Sequence, residues 1–219
     1  MDILTPGGHT ARTPVHPVLW LLAGLMVLMY LLEEGAARGL ISPIFSWYYL
    51  HGMFGFFDTY FDAMLLGQPY PDQLYWSFVT YAFLHAGLLH LAMNGAIFLA
   101  IGHAIVRQAG VVAFLVCFFG SVIAGAVFFG LIATTDAVLI GASGGVFGQL
   151  GMIIAWRERI LRHFGYSRAS VWRLVAGLVA INVILSVGIT GVGGGELAWE
   201  AHLGGFIAGW IAAQFFHPR

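Results

Sequence analysis

The stretch Gly141-Ala142-Ser143-Gly144 lies inside an apolar segment that runs from residue 141 to 157, and His202 lies inside another at 199–216. A polar, ionisable side chain is costly inside a membrane span, which makes such a residue a candidate for function. A serine hydroxyl becomes a nucleophile when an adjacent base takes its proton, and histidine is suited to that task. The two segments therefore suggest a helical membrane fold with a Ser–His pair inside it.

The composition of the whole chain favours a lipid environment. Of the 219 residues, 60% are hydrophobic and only 9% are charged, whereas soluble domains carry roughly 25% charged residues. The net charge is −1 and no basic patch is present, so we expect the lipid bilayer and no nucleic acid as a partner. The chain also lacks the Cys/His spacing of a zinc site, so we expect no metal and no cofactor.

Six apolar segments can be drawn, and they predict an all-α, polytopic bundle of six transmembrane helices over residues 17–216. They cover residues 17–32, 86–105, 110–134, 141–157, 171–190 and 199–216. Several are shorter than the roughly 20 residues that a straight span needs, and the first and the fourth are the marginal ones. Residues 1–16 are expected to form a short cytoplasmic segment before the bundle, and residues 217–219 a cytoplasmic tail.

The connection between the first two segments, residues 33–85, is the longest outside the apolar segments. A loop of about 50 residues without structure is uncommon in a compact domain. This one is rich in aromatic side chains, including Trp47-Tyr-Tyr49 and Phe54-Gly-Phe-Phe57, and aromatic residues are enriched at the membrane interface. We therefore expect a long first outer loop made of short helices in the interface.

The arginines predict the orientation in the membrane. The chain has no lysine, and in a six-span arrangement eight of its nine arginines fall on one side, with only Arg38 on the other. An excess of positive charge marks the cytoplasmic side. The expected protein is a multi-pass integral membrane protein with both termini cytoplasmic, and a bacterial inner membrane suits its lack of an appended domain.

In this topology the second, fourth and sixth segments run from outside to inside, so Ser143 and His202 lie at similar depth near their outer ends. His90 and Asn94, four residues apart, share one face of the second segment. Their side-chain N–H groups, with the free backbone N–H groups of a helix that starts near Ser143, could stabilise an oxyanion. Taken alone, Asn94 could instead join helices, and a single histidine could be a packing residue.

Glycines make the fourth and sixth segments narrow. Gly141 and Gly144 flank the serine, and Gly205 and Gly209 form a small-xxx-small pair shortly after the histidine. Helices in lipid associate through close backbone approach at such residues. We therefore expect this packing to bring the serine and the histidine together, with a site that opens to the outer side.

These residues resemble a known family when they are read together. The stretches are His85-Ala-Gly-Leu-Leu-His90-Leu-Ala-Met-Asn94, Gly141-Ala-Ser143-Gly144 and Ala201-His202-Leu-Gly-Gly205. Their order and spacing resemble those of the rhomboid intramembrane serine proteases, over roughly residues 17–216. The resemblance implies that Ser143 is the nucleophile and His202 the general base, without a carboxylate. It also implies that His90 and Asn94 line the oxyanion hole, and that His85 braces the loop above.

Two positions depart from the family pattern. Trp76 matches the tryptophan of a Trp-Arg pair in the first loop of the family, but Ser77 stands where the arginine usually is. Phe147 stands where some members have a tyrosine that stacks on the catalytic histidine. Neither change removes a reacting group, so we expect them to affect loop stability and rate more than the type of reaction.

The function implied by the resemblance is hydrolysis, by a serine endopeptidase that cuts transmembrane segments of membrane protein substrates. Two other classes stay open. One is a catalytically silent rhomboid-like protein that binds transmembrane helices. The other is a transporter that uses its intramembrane histidines, although the polar groups here cluster toward the outer half. The sequence leaves the oligomeric state open.

Overall fold

The computed structural model describes residues 14–133, 137–189 and 198–219. In these ranges the regular structure is helical, apart from one antiparallel β-bridge. The helices are α1 (Pro17–Ala37), α2 (Trp47–Phe54), α3 (Asp58–Leu65), α4 (Gln73–Thr80), α5 (Leu88–Ala109), α6 (Val111–Ile132), α7 (Ser143–His163), α8 (Ala169–Ile189) and α9 (Trp199–Ala212). Short 3₁₀ turns lie at Pro43–Phe45 and Tyr81–Phe83. Residues 1–13 of the predicted N-terminal segment, and residues 134 and 190 at two segment ends, lie outside the described residues.

Each predicted apolar segment falls on one of the long helices, but several boundaries differ. Helix α1 and helix α7 each have 21 residues, longer than their apolar segments. The reason is that α1 continues through Glu33 and Glu34 and α7 through residues 157–163, and Glu and Arg are good helix formers. Helix α9 ends at Ala212, before the predicted end at 216.

The membrane character rests on the most apolar of these helices. Among the described residues, α1, α5 and α6 are long and apolar enough to cross a membrane, and α8 has a shorter apolar stretch, Ala169–Ile184. Large apolar side chains such as Leu21 and Leu31 on α1 are exposed, as expected where lipid is the solvent. The chain is therefore a helical integral membrane protein, and the count of six spans stays a prediction.

The centre of the fold is the close contact of α7 with α9. A Cβ atom added at Gly205 would overlap the backbone carbonyl of Gly144, and one added at Gly209 would overlap the carbonyl of Gly148. No other residue type has the space to replace either glycine without movement of a backbone. The small-xxx-small pair on α9 therefore lies directly against the first two turns of α7, and this contact fixes the start of α7 relative to α9.

The region between α1 and α5 is held together by side chains of α4. Trp76 Nε1 donates to the carbonyl of Met53 at 2.8 Å, and Thr80 Oγ1 donates to the carbonyl of Phe54 at 2.8 Å. Shortly after the end of α2, Phe56 forms the β-bridge with Leu139, and the two residues exchange backbone hydrogen bonds of 3.2 and 2.8 Å. The region is thus joined to the chain that leads into α7.

Candidate active site

The chain reaches Ser143 through a tight backbone approach. Gly141 has φ 109°, a conformation that favours glycine, and a Cβ there would lie 2.7 Å from the His90 ring. The Gly141 N–H donates to the Tyr81 carbonyl at 2.9 Å. Ser143 follows as the first residue of α7 and is half-buried. The glycine before the serine is therefore required both by backbone conformation and by space.

His202 lies against Ser143. Its Nε2 atom is 2.8 Å from the Ser143 Oγ atom, although the two residues are 59 positions apart in sequence. The His202 side chain is buried, and its ring stacks on Phe147 with 4.3 Å between ring centroids and 6° between planes. Because Phe147 is one helical turn after Ser143 on α7, one helix supplies both the hydroxyl and the surface that carries the imidazole.

A residue that the sequence analysis did not single out completes this arrangement. Asn182 Oδ1 is 2.5 Å from His202 Nδ1, and Asn182 Nδ2 donates to the Leu178 carbonyl at 2.9 Å. An amide oxygen can only accept a hydrogen bond, so the proton of the neutral ring is on Nδ1. His202 Nε2 is then the acceptor for the Ser143 hydroxyl. The only sequence signal for Asn182 was a single amide within the apolar segment 171–190.

His90 and Asn94 lie beside the backbone that leads to Ser143. The His90 Nδ1 atom accepts from the Ala86 N–H at 3.4 Å, so a neutral ring carries its proton on Nε2. A Cβ atom placed on Gly141 would lie 2.8 Å from His90 Nε2 and 3.9 Å from Asn94 Nδ2. Two side-chain donors therefore converge beside Gly141, two residues before the serine.

The backbone of α7 adds further donors. Because the helix begins at Ser143, its first N–H groups have no acceptor within the helix. The first-turn N–H groups of Ser143 and Gly144 carry the positive end of the helix dipole. The side-chain nitrogens of His90 and Asn94 lie beside Gly141, two residues before the start of α7, and N–H donors of this kind can stabilise negative charge.

His85 is a buried histidine that lies beside this backbone. It is 1% exposed, and burial, with a smaller effect from the neighbouring His90, lowers the pKa of His85 to about 3. A neutral ring can accept a hydrogen bond, and His85 Nε2 accepts one from the Ala142 N–H at 3.5 Å. Its ring also packs edge-on against His90, with centroids 5.0 Å apart. His85 therefore contacts the backbone immediately before the serine and one of the candidate oxyanion donors.

The structure shows what Ser77 and Phe147, the two residues that depart from the family pattern, contact in this chain. Ser77 is buried, and its hydroxyl donates to the Leu74 carbonyl within its own helix, at 2.9 Å. Three side chains of α4 donate hydrogen bonds to the end of α2 and the residue after it. These are the bonds from Trp76 and Thr80 described above and one of 3.2 Å from Gln73 Nε2 to the Gly55 carbonyl. They hold α4 against α2 in this chain. Phe147 supplies the stacking surface for His202 with no hydroxyl.

The comparisons with known proteins agree with this class of helical membrane protein. The rhomboid domain of the protein-family models matches residues 72–219, which is more than half of the chain. The chain therefore belongs to the rhomboid family.

Relatives occur in plants, Toxoplasma and Bacillus. RHOMBOID-like protein 7 of Arabidopsis thaliana is 29% identical over 72% of this chain and 48% of its own length. Rhomboid-like protease 3 of Toxoplasma gondii is 31% identical over 71% of this chain and 59% of its own length. Rhomboid protease GluP of Bacillus subtilis is 27% identical over 64% of this chain and 25% of its own length. The chain spans about half the length of the first curated relatives that it matches.

Proposed function

We propose that this protein is an intramembrane serine endopeptidase that cleaves transmembrane segments of other membrane proteins with Ser143 and His202. The observation that carries the proposal is the 2.8 Å contact between Ser143 Oγ and His202 Nε2. The opposite nitrogen of His202 faces an amide oxygen, so Nε2 has its lone pair toward the hydroxyl. This is the protonation state that a general base requires.

The reaction follows from that geometry. Ser143 Oγ attacks the scissile carbonyl carbon while its proton passes to His202 Nε2, giving a tetrahedral oxyanion and an imidazolium. The imidazolium then protonates the leaving nitrogen as the C–N bond breaks, which leaves an acyl group on Ser143. A water molecule next loses a proton to His202 and adds to the acyl carbon. The intermediate collapses to a carboxylic acid product, which ionises in water, and the proton on His202 returns to Ser143 Oγ.

The oxyanion is assigned to the donors beside Gly141. His90 Nε2 and Asn94 Nδ2 lie beside Gly141, and the Ser143 backbone N–H at the start of α7 has no acceptor within the helix; in this proposal these N–H groups receive the charge. Such preorganised donors are a large source of rate enhancement in acyl transfer. A substrate helix must unwind locally to expose its carbonyl, since its backbone groups are paired in a helix. Substrates with Gly, Pro or polar residues near the cut are therefore expected to be favoured.

The proposed orientation is a six-span arrangement with both termini cytoplasmic and the site opening outward. It rests on the positions of the arginines and on the six long helices among the described residues. We keep the bacterial inner membrane as the proposed location.

The second candidate is a catalytically silent rhomboid-like protein that binds transmembrane helices. The contact between Ser143 and His202 favours the protease, because a binding protein has no need of an oriented base. The deciding experiment is labelling of the purified protein in detergent with a fluorophosphonate, with Ser143→Ala as the control. Labelling of the parent and not of Ser143→Ala is expected, and an unlabelled but folded parent would favour the silent protein.

A further inference from the structure

We propose that Asn182 on α8 is a positioning residue for the general base, which selects the tautomer of His202 that can accept the Ser143 proton. This inference rests on the proposed function and adds a third side chain to the Ser143–His202 pair. The contact that motivates it is the 2.5 Å hydrogen bond between His202 Nδ1 and Asn182 Oδ1.

The orientation of the Asn182 amide is set by a second bond. Its Nδ2 group donates to the Leu178 carbonyl, one turn earlier on α8, at 2.9 Å. A carbonyl cannot donate, so nitrogen must face Leu178 and oxygen must face His202. The bond to Leu178 thus fixes the orientation of the Asn182 amide. In this orientation the amide oxygen faces His202, and an amide oxygen can only accept a hydrogen bond.

Stacking alone would not orient the imidazole. Phe147 lies parallel to the His202 ring and fixes the plane of that ring. A ring flipped by 180° about the Cβ–Cγ bond would lie in the same plane and would stack equally well. The turned ring would present a carbon-bound edge to Ser143 and to Asn182 in place of nitrogen. The Asn182 oxygen favours the orientation in which Nδ1–H points to it, and that orientation places Nε2 at Ser143.

The same bond is stronger when the reaction needs it. When His202 takes the proton, both ring nitrogens become donors, and the bond from Nδ1 to Asn182 becomes charge-assisted. Interactions that strengthen in the transition state accelerate the chemical step. An amide does not accept the proton itself, so the proton stays on the ring for delivery to the leaving nitrogen. A neutral acceptor also avoids a permanent carboxylate charge inside an apolar helix.

The neighbours of Asn182 on α8 indicate that the residue is not there for solubility. Ile181 and Val183 are both more than half exposed, while Asn182 is partly buried and points to His202. The apolar side chains on either side provide matched control positions, because they belong to the same turn of the helix and face away from the site.

The test combines kinetics and spectroscopy on the full chain in detergent. Asn182→Leu removes the acceptor at similar size, Asn182→Asp keeps an acceptor and removes the donor, and Val183→Leu is the control. We expect Asn182→Leu to lower kcat by about 10- to 100-fold with KM little changed, because one charge-assisted hydrogen bond is lost. Asn182→Asp should recover most of kcat, and Val183→Leu should match the parent.

Nitrogen NMR of ¹⁵N-histidine-labelled protein reads the tautomer directly. The His202 signals are assigned by their loss in His202→Ala, and the parent should show the proton on Nδ1. In Asn182→Leu a population with the proton on Nε2 should appear, with unchanged thermal stability. Parental kcat and an unchanged tautomer in Asn182→Leu would overturn the proposal, as would an equal loss in Asn182→Asp. Failure of the proposed function is distinguishable, since the parent itself would then neither cleave nor react with fluorophosphonate.

Discussion

At the level of single residues, the imidazole of His202 on α9 is held by side chains from two other helices. Ser143 and Phe147 belong to α7 and Asn182 to α8, and each contacts the ring with one atom or one ring face. A change that removes one reacting atom and leaves the packing intact therefore separates chemistry from folding.

The first prediction concerns the nucleophile and its base together. Ser143→Ala and His202→Ala should each lower cleavage of a test transmembrane substrate by at least about 10³-fold, and the double variant should be little worse, because the two residues act as one unit. The measurement is the single-turnover rate of each variant, with thermal unfolding to show that each is folded. Losses that multiply in the double variant would contradict cooperation between the two residues.

The second prediction concerns the oxyanion donors. Asn94→Ala should lower the cleavage rate by about 10²–10³-fold, the usual effect of one lost donor. It should stay more active than Ser143→Ala, since His90 and the backbone N–H groups remain. Asn94 is buried, so the melting temperature is measured beside the rate. A large fall in melting temperature with a normal rate per folded molecule would instead make Asn94 a residue that joins helices.

At the level of helices, the α7–α9 contact determines whether the reacting atoms meet. A side chain at Gly205 has no space, because its first carbon would overlap the Gly144 carbonyl. Gly24 on α1 has no atom within 4 Å of the corresponding position. The two glycines therefore form a matched pair, in which the same substitution has opposite steric consequences.

The third prediction uses that pair. Gly205→Val should lower thermal stability and cleavage together, by about 10²-fold or more in rate, because a displacement of about 1 Å between reacting groups is enough for such a loss. Gly24→Val should change both by much less. The measurements are melting temperature and the cleavage rate in the same detergent. Equal effects at the two positions would show that the α7–α9 contact does not position Ser143 and His202.

The sequence predicted the long helices because their apolar runs are strong signals, and it missed boundaries where charged residues continue a helix. Glu33 follows the end of the first predicted segment and Glu158 the end of the fourth, yet both lie inside α1 and α7, because glutamate is a good helix former. The Ser143–His202 pairing could be predicted because glycines mark close helix contacts. The contact of Asn182 with His202 could not be predicted, because the two residues are 20 positions apart and a single amide in an apolar segment does not indicate which residue it contacts.

At the scale of the whole molecule, the proposed orientation places the region between α1 and α5 on one side of the membrane and the connection between α7 and α8 on the other. Gln68 lies in the first of these and Tyr166 in the second, and both side chains are exposed. The chain has one cysteine, Cys117, which is buried in α6. An introduced cysteine can therefore report its side of the membrane against a low background.

The last prediction follows from that layout and from the excess of arginine on one side. In intact cells, Gln68→Cys should react with a membrane-impermeant maleimide, and Tyr166→Cys should react only after the membrane is permeabilised. Each is compared with the parent, in which buried Cys117 should react slowly in both conditions. Mass-shift labelling on gels is the measurement. Because an odd number of crossings must separate the two positions in a six-span arrangement, labelling of both cysteines in intact cells would contradict the proposed topology while leaving the Ser143–His202 geometry untouched.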